Sequence, residues 1–154
     1  MPRTSRSARR PTRSALEPRE RVLVDSGAWI ALASARDGRH ADGVRLFRAA
    51  LARRTELLTT TLIVAEVHRL LLFRAGRSAA MGALDRFDRS PSLRLVHPGA
   101  EQHRRAREWL AKLDDRAVSY TDAVSFAVVE AEACTSVMTF DDDFTVAGFR
   151  TYAG

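Results

Sequence analysis

Four acidic residues stand where acids are ill at ease: Asp25, Glu66, Asp122 and Asp141. Asp25 closes the apolar run RVLV and precedes Ser26-Gly27 and the helix-like AWIALAS. Asp disfavours both strands and burial, so a carboxylate at this junction needs a reason. Glu66 lies within TLIVAEVHRLLLFRA, beside Leu62, Ile63, Arg69 and Leu70, with Phe73 one further turn on. Most of that stripe is apolar, which puts Glu66 on or beside a buried face, too deep in the helix to act as a cap. Taken alone, it reads as well as one half of an ion pair with an arginine. Asp122 opens the most apolar helix, TDAVSFAVVEAEA. Asp is at home in a first turn, although Ser119 or Thr121 could cap instead and leave Asp122 free. Asp141 begins the run Asp141-Asp142-Asp143, which alone could be a solvated turn.

Together the four suggest one site. Carboxylates brought about 5 Å apart repel by roughly 3 kcal/mol per pair at an effective dielectric near 20. Such a cluster must take up protons or bind cations. No Lys or His is placed by the sequence to neutralise it. An all-oxygen donor set suits Mg²⁺ or Mn²⁺. Two such ions, or one ion with the substrate phosphate, can activate water and hold the leaving oxygen in an in-line attack on a phosphodiester.

The elements that would gather these acids alternate along the chain. RVLVD, ELLTT (56–60), SLRLVHP, TSVMTF and FRTYA read as strands, the last one short. Between them lie helix-like segments. HADGVRLFRAALARR carries Val44, Phe47 and Leu51 on one stripe, and SAAMGALDRFDR carries Met81, Leu84 and Phe87. GAEQHRRAREWLAKLDD turns Ala106, Trp109, Leu110 and Leu113 inward. TLIVAEVHRLLLFRA is capped by Thr60 or Thr61 and stopped by Gly76. Strands separated by helical crossovers predict an α/β fold, a mainly parallel sheet of about five strands in a three-layer α/β/α sandwich. Sites in such sheets form beyond the carboxyl ends of the strands, where Asp25 and the Asp141–Asp143 run stand.

With 154 residues, the chain is long enough for one domain with a substantial core. No apolar run reaches the roughly 18 residues of a membrane span. Seven arginines against two glutamates in the first 21 residues account for all but one of the six net positive charges. The body is therefore not a nucleic-acid binder by net charge, and such a site must come from local patches. Residues 1–20 are predicted to form a disordered basic tail ahead of a domain spanning 21–154. A passive tail or overextended translation start, an RNA-binding arm and an organelle targeting peptide all fit it. The lone Cys134, in apolar ACTSVM, excludes an internal disulfide and predicts a buried thiol in a reducing compartment, with the cytoplasm as the expected location. His40, His68, His97 and His103 are scattered, and no Ser or Cys is paired with one of them by motif.

The ordered set VLVDSGAWIAL, TTTLIVAEVHRLL, SYTDAVSFAVVEA and VMTFDDDFTVAGF, with its acids 41, 56 and 19 residues apart, resembles the PIN-domain family, especially the VapC-type ribonuclease toxins of bacterial toxin–antitoxin pairs. The resemblance runs from about Arg21 to the end of the chain. It implies a metal-dependent endoribonuclease with Asp25, Asp122 and Asp141 as metal ligands and Glu66 as a ligand or the residue orienting the attacking water. It further implies Ser26 and Thr139 as hydroxyls near the metal and Asp143 as a supporting acid. Gly27 departs from the Ser or Asn of many relatives. The implied cofactor is Mg²⁺, with Mn²⁺ as a substitute. The implied partners are an RNA substrate (tRNA, rRNA or mRNA), an antitoxin covering the acidic groove, and a second copy in a homodimer; no membrane is expected. Trp29, Phe47 and Leu51 are candidate antitoxin contacts by analogy. Arg45, Arg48, Arg53 and Arg54 on one helix and Arg104, Arg105 and Arg107 on another could steer a phosphate backbone, or be ordinary solvated faces. A receiver-type phosphoacceptor domain would also cluster Asp at strand ends but needs a lysine after a late strand, and the only lysine is Lys112, inside a helix. A non-catalytic RNA-binding or regulatory domain of this fold, and a phosphatase or DNA nuclease, are the remaining alternatives.

Overall fold

The computed structural model describes residues 19–154. The readings placed on residues 1–18 lie outside the described residues. Four strands, β1 (Arg21–Val24), β2 (Glu56–Thr60), β3 (Leu93–Val96) and β4 (Ser136–Met138), form one sheet in the order β3-β2-β1-β4. Every pairing is parallel; Leu23 pairs with Leu58 on one side and Val137 on the other. Val22, Leu23 and Val24 are fully buried, as a central strand covered on both faces requires.

The helices are α1 (Ser26–Ala33), α2 (His40–Ala52), α3 (Thr61–Ala75), α4 (Arg77–Arg89), α5 (Ala100–Lys112), α6 (Tyr120–Ala131) and the short α7 (Asp142–Val146). Helices α1 to α4 pack on one another, with Trp29 of α1 between Phe47 of α2 and Phe87 of α4 at ring separations of 4.8 Å each. A second group joins α5 and α6 through Trp109, Phe126, Phe144 and Phe149. The topology explains the division. The crossovers from β1 to β2 and from β2 to β3 step one way across the sheet, and the one from β3 to β4 steps back, so right-handed connections send its helices to the opposite face. The strand order therefore reverses between β1 and β4. In open parallel sheets a crevice opens at such a switch point.

Several expectations are corrected. The fifth strand, FRTYA, reduces to a single parallel bridge from Thr151 to Val137, because one residue of β4 makes both bonds: Val137 N–H donates to Arg150 O and Val137 O accepts from Tyr152 N–H, each at 2.8 Å. On α2 the buried residues are Gly43, Leu46 and Ala50 in place of Val44, Phe47 and Leu51, and Leu51 is 71% exposed. A Cβ on Gly43 would lie 3.0 Å from Ala31 Cβ, so α1 and α2 approach through small residues. Phe47 is half-buried against Trp29. Trp29 itself is a core residue and no candidate partner contact; its indole N–H donates to Thr59 Oγ1 at 3.2 Å. On α3 the core stripe is Ile63, Val67 and Leu71, and Phe73 is 79% exposed. Cys134 is half-buried, and burial raises its thiol pKa to about 11, which keeps it unreactive at neutral pH.

Thr60 ends β2 and caps α3, its Oγ accepting from Ile63 N–H at 3.1 Å. This cap sets the entry angle of the helix that carries Glu66. Thr60→Ala is expected to cost about 0.5–2 kcal/mol, read as a lower urea midpoint at unchanged slope.

Candidate active site

The site is built at the reversal between β1 and β4. Asp25 N–H donates to Met138 O at 3.0 Å, extending the β1–β4 ladder one residue past the strands and setting Asp25 beside Thr139. Both residues are 4% exposed. Thr139 Oγ1 donates to Asp25 Oδ2 at 3.0 Å and accepts from Asp141 N–H at 3.0 Å, so a single hydroxyl ties two of the acids together. The other oxygen of Asp25, Oδ1, is buried and has no hydrogen-bond partner.

Asp122 and Asp141 repeat the arrangement of one held and one unengaged oxygen. Ser119 is the N-cap of α6, accepting from Asp122 N–H at 3.1 Å. Asp122 Oδ2 answers by accepting from Ser119 Oγ at 2.6 Å and Ser119 N–H at 3.3 Å. This is a capping box. The two readings of Asp122 are thus both partly right: it belongs to the cap, and Oδ1 has no partner among the described residues. Asp141 caps α7, its Oδ1 accepting from Asp143 N–H at 2.9 Å, and it is exposed. Glu66 lies half-buried beside the Ile63–Val67 stripe.

The four acids feel one another's charge. Burial above all, then the neighbouring Asp122 and Glu66 carboxylates, raise the Asp25 pKa to about 7, against the lowering effect of hydrogen bonds from Ser26 N–H and Thr139. Asp122 is also raised, by burial first and then by Asp141 and Glu66, while its bonds to Ser119 pull the other way. Among the described residues none of the four makes an ion pair. The opposite end of the sheet supplies the contrast: Glu56 meets Arg21 and Arg94 at 3.0 Å each, and Glu132 meets Arg94 at 2.6 Å.

A cleft of about 530 Å³ opens over this edge, lined by Asp25, Ser26, Gly27, Arg116, Phe140, Asp141 and Asp142. Arg39 stands over the Phe140 ring at 5.3 Å. Asp122 and Glu66 are not part of that lining, although their charges are felt at Asp25. Among the described residues no three His, Cys, Asp or Glu side chains are drawn into a closed ligand set. The donor chemistry nonetheless fits a hard dication. It is all oxygen, and the orphaned Asp25 Oδ1 has nothing else to satisfy it. Asp143 is differently engaged: Arg116 Nε donates to its Oδ1 at 2.9 Å. Sequence reasoning missed Arg116 because it lies in the loop between α5 and α6, and only the fold brings it to the acids. Arg104 and Arg105 are held by Glu101, Glu108 and Glu130, which favours the solvated-face reading for that helix. His40 Nδ1 bonds Ala31 O at 2.7 Å and His103 Nδ1 bonds Tyr120 Oη at 2.8 Å, both away from the cleft lining.

The PIN-domain family model matches residues 22–150. The chain belongs to the PIN-domain family. The PIN chain is 34% identical over 128 residues to VapC20 of Mycobacterium tuberculosis, named a 23S rRNA-specific endonuclease, covering 83% of this chain and 95% of that protein. The crystal structure of M. tuberculosis VapC20, described as a sarcin–ricin loop cleaving toxin, superposes with a TM-score of 0.76 at 33% identity over the same shares. The fold recurs in VapBC2 from Rickettsia felis bound to a promoter DNA fragment, with a TM-score of 0.63 at 13% identity, covering 85% of this chain and 96% of that one. It recurs again in FitAcB from Neisseria gonorrhoeae, with a TM-score of 0.64 at 14% identity, covering 86% and 96%. Among the described residues no helix is long and apolar enough to cross a membrane.

The raised Asp25 pKa predicts how stability varies with pH. The folded state binds this proton more tightly than the unfolded chain, so the penalty for keeping Asp25 is smallest near pH 4, grows as pH rises and is complete above about pH 7. In EDTA, Asp25→Asn is expected to stabilise the protein by on the order of a few kcal/mol at pH 8, with the gain shrinking toward pH 4. Thermal melts of both proteins across that range give the comparison; a gain independent of pH contradicts the assignment.

Proposed function

We propose that this PIN protein is an endoribonuclease dependent on Mg²⁺ or Mn²⁺, hydrolysing RNA phosphodiester bonds, and that it is the toxin of a toxin–antitoxin pair. The observation that carries the reading is the buried, unpartnered Asp25 Oδ1, with three further acids adding negative charge around it and none of the four in an ion pair among the described residues. The kinship to VapC20 supplies the substrate class, and ribosomal RNA is the substrate proposed here.

Asp25, Asp122 and Asp141 would hold the ion through their unengaged oxygens. A bound Mg²⁺ or Mn²⁺ supplies Lewis-acid activation of water and offsets charge building on the phosphodiester. Glu66, half-buried and without a fixed partner among the described residues, would ligate the ion or orient the attacking water and take its proton. Thr139 fixes Asp25, and Ser119 fixes Asp122, so that each carboxylate presents one oxygen. Ser26 lines the cleft beside Asp25, where its hydroxyl can meet a phosphate oxygen. No protein nucleophile is needed.

The antitoxin is proposed as a segment that covers the acidic groove and reaches neighbouring apolar surface. A cavity of about 550 Å³ between the ends of α1 and α3 is lined by Ile30, Ala33 and Leu71 together with Arg36, Asp37 and Arg74, and α3 also exposes Leu72 and Phe73, apolar surface of the kind that the apolar face of a helix covers. A homodimer in the cytoplasm completes the proposal.

The purified chain is expected to cut ribosomal RNA with Mg²⁺ or Mn²⁺ and to stop with EDTA. Asp25→Asn and Asp122→Asn each lower the rate by more than about 100-fold, and Thr139→Val, which removes an outer partner, lowers it about 10- to 100-fold. Gel analysis of cleaved RNA reads all of these. Undiminished cutting by both acid variants contradicts the mechanism, and RNA binding without cutting favours the non-catalytic alternative.

A further inference from the structure

We propose that Arg116 is a phosphate-binding residue of the acidic cleft and that Asp143 is its positioning partner, not a metal ligand; the inference rests on the endoribonuclease reading above. A cleft walled by acids repels the polyanion it must admit, and a dication alone sits at the reacting phosphate. Some fixed cation at the wall has to receive the neighbouring backbone. Arg116 is the one cationic residue among the described cleft-lining residues.

Its placement is built in. Arg116 N–H donates to Leu113 O at 3.2 Å, fixing the loop three residues before the Ser119 cap that orients Asp122. Nε donates to Asp143 Oδ1 at 2.9 Å, and Nη2 lies 2.7 Å from the same oxygen. Asp143 is the more buried of the two, its side chain 16% exposed against 37% for Arg116. From there the bonds run inward without a break. Asp143 N–H donates to Asp141, Asp141 N–H donates to Thr139, and Thr139 donates to Asp25. The guanidinium is thus registered to the innermost acid through fixed bonds. Nη1 has no partner among the described residues, and the Nη1–Nη2 edge is the fork that grips two phosphate oxygens.

The same geometry removes Asp143 from the metal. One oxygen faces a guanidinium at close range, and a dication there would meet that positive charge. A purely structural role, stapling α7 to the α5–α6 loop, makes the same contact but gives Arg116 no reason to bind RNA.

The two roles separate by measuring RNA binding apart from cleavage. The full chain is titrated in EDTA against a fluorescein-labelled hairpin oligoribonucleotide carrying the sarcin–ricin loop sequence, with anisotropy read from low to moderate salt. Arg116→Ala is expected to weaken binding about tenfold, as loss of one charged hydrogen-bonding group does, and to flatten the slope of log affinity against log salt by about 0.7–0.9, one phosphate contact. Arg116→Lys restores the slope and only part of the affinity. Calorimetry with Mn²⁺ alone should give Asp143→Asn the wild-type metal affinity to within about twofold, where loss of a ligand or its outer support costs about tenfold or more. Wild-type RNA affinity and slope in Arg116→Ala, with only a lower melting temperature, overturns the proposal in favour of a staple. A tenfold loss of Mn²⁺ affinity in Asp143→Asn overturns it too. A wild-type chain that cuts this RNA with Mg²⁺ or Mn²⁺ but does not bind it in EDTA also overturns the proposal, because a fixed arginine acts without the metal; one that neither binds it in EDTA nor cuts it with either metal overturns the endoribonuclease reading itself.

Discussion

An isolated carboxylate is among the most costly groups to bury, and Asp25 is buried with one of its oxygens unanswered. The rest of the site follows from that cost. The position is imposed by the ladder: β1 pairs with β4, and the next amide along, that of Asp25, still bonds Met138. The side chain then has nowhere to go but the reversal between the two strands. Thr139 meets one oxygen. The structure offers the other oxygen no donor, and burial first, then the further negative charge around it, lifts the Asp25 pKa to about 7. An arrangement that disfavours the charged form so strongly is a poor solution for stability and a good one for capturing a cation.

The surrounding acids are held by local devices that any helix start can provide. Asp122 sits in a capping box and Asp141 caps a helix of five residues. Capping normally explains an acid completely. Here each cap engages one carboxylate oxygen and fixes the direction of the other, so a stability device doubles as an orienting device. The contrast with Glu56 and Glu132 is instructive. Those acids at the far end of the sheet are matched by Arg21 and Arg94 and close on themselves. The chain has arginines in abundance, yet among the described residues none pairs with Asp25, Glu66, Asp122 or Asp141, and the one lining the cleft, Arg116, is paired with Asp143.

Much of this was legible in the residues. Asp25 at the end of an apolar strand, and the near-continuous apolar run of α6, announce a buried parallel sheet and a central helix. Apolar spacing also found α3 and α5. It failed on α2, where size misled: the large Val44, Phe47 and Leu51 look like the inner face, yet Gly43 and Ala50 are inside because α1 lies close against them. It failed on Phe73, which lies on the Glu66 side of α3 and not on the buried Ile63–Val67–Leu71 stripe. The final strand shrank to one bridge, Thr151 to Val137, because only Val137 of β4 exchanges backbone bonds with it. Arg116 was illegible for a different reason. It belongs to no periodic element, and its meaning comes only from the fold bringing residues 27 positions apart within 2.9 Å.

The most direct test of the central claim is anomalous diffraction from a crystal of the protein soaked in Mn²⁺ at pH 8. The account predicts a single-site or paired peak in the cleft, with Asp25 Oδ1 bonded to manganese at about 2.1 Å and Asp122 or Asp141 turned toward the same ion. A crystal saturated with manganese that shows no peak at the β1–β4 reversal, with Asp25 Oδ1 still without a partner, would contradict it.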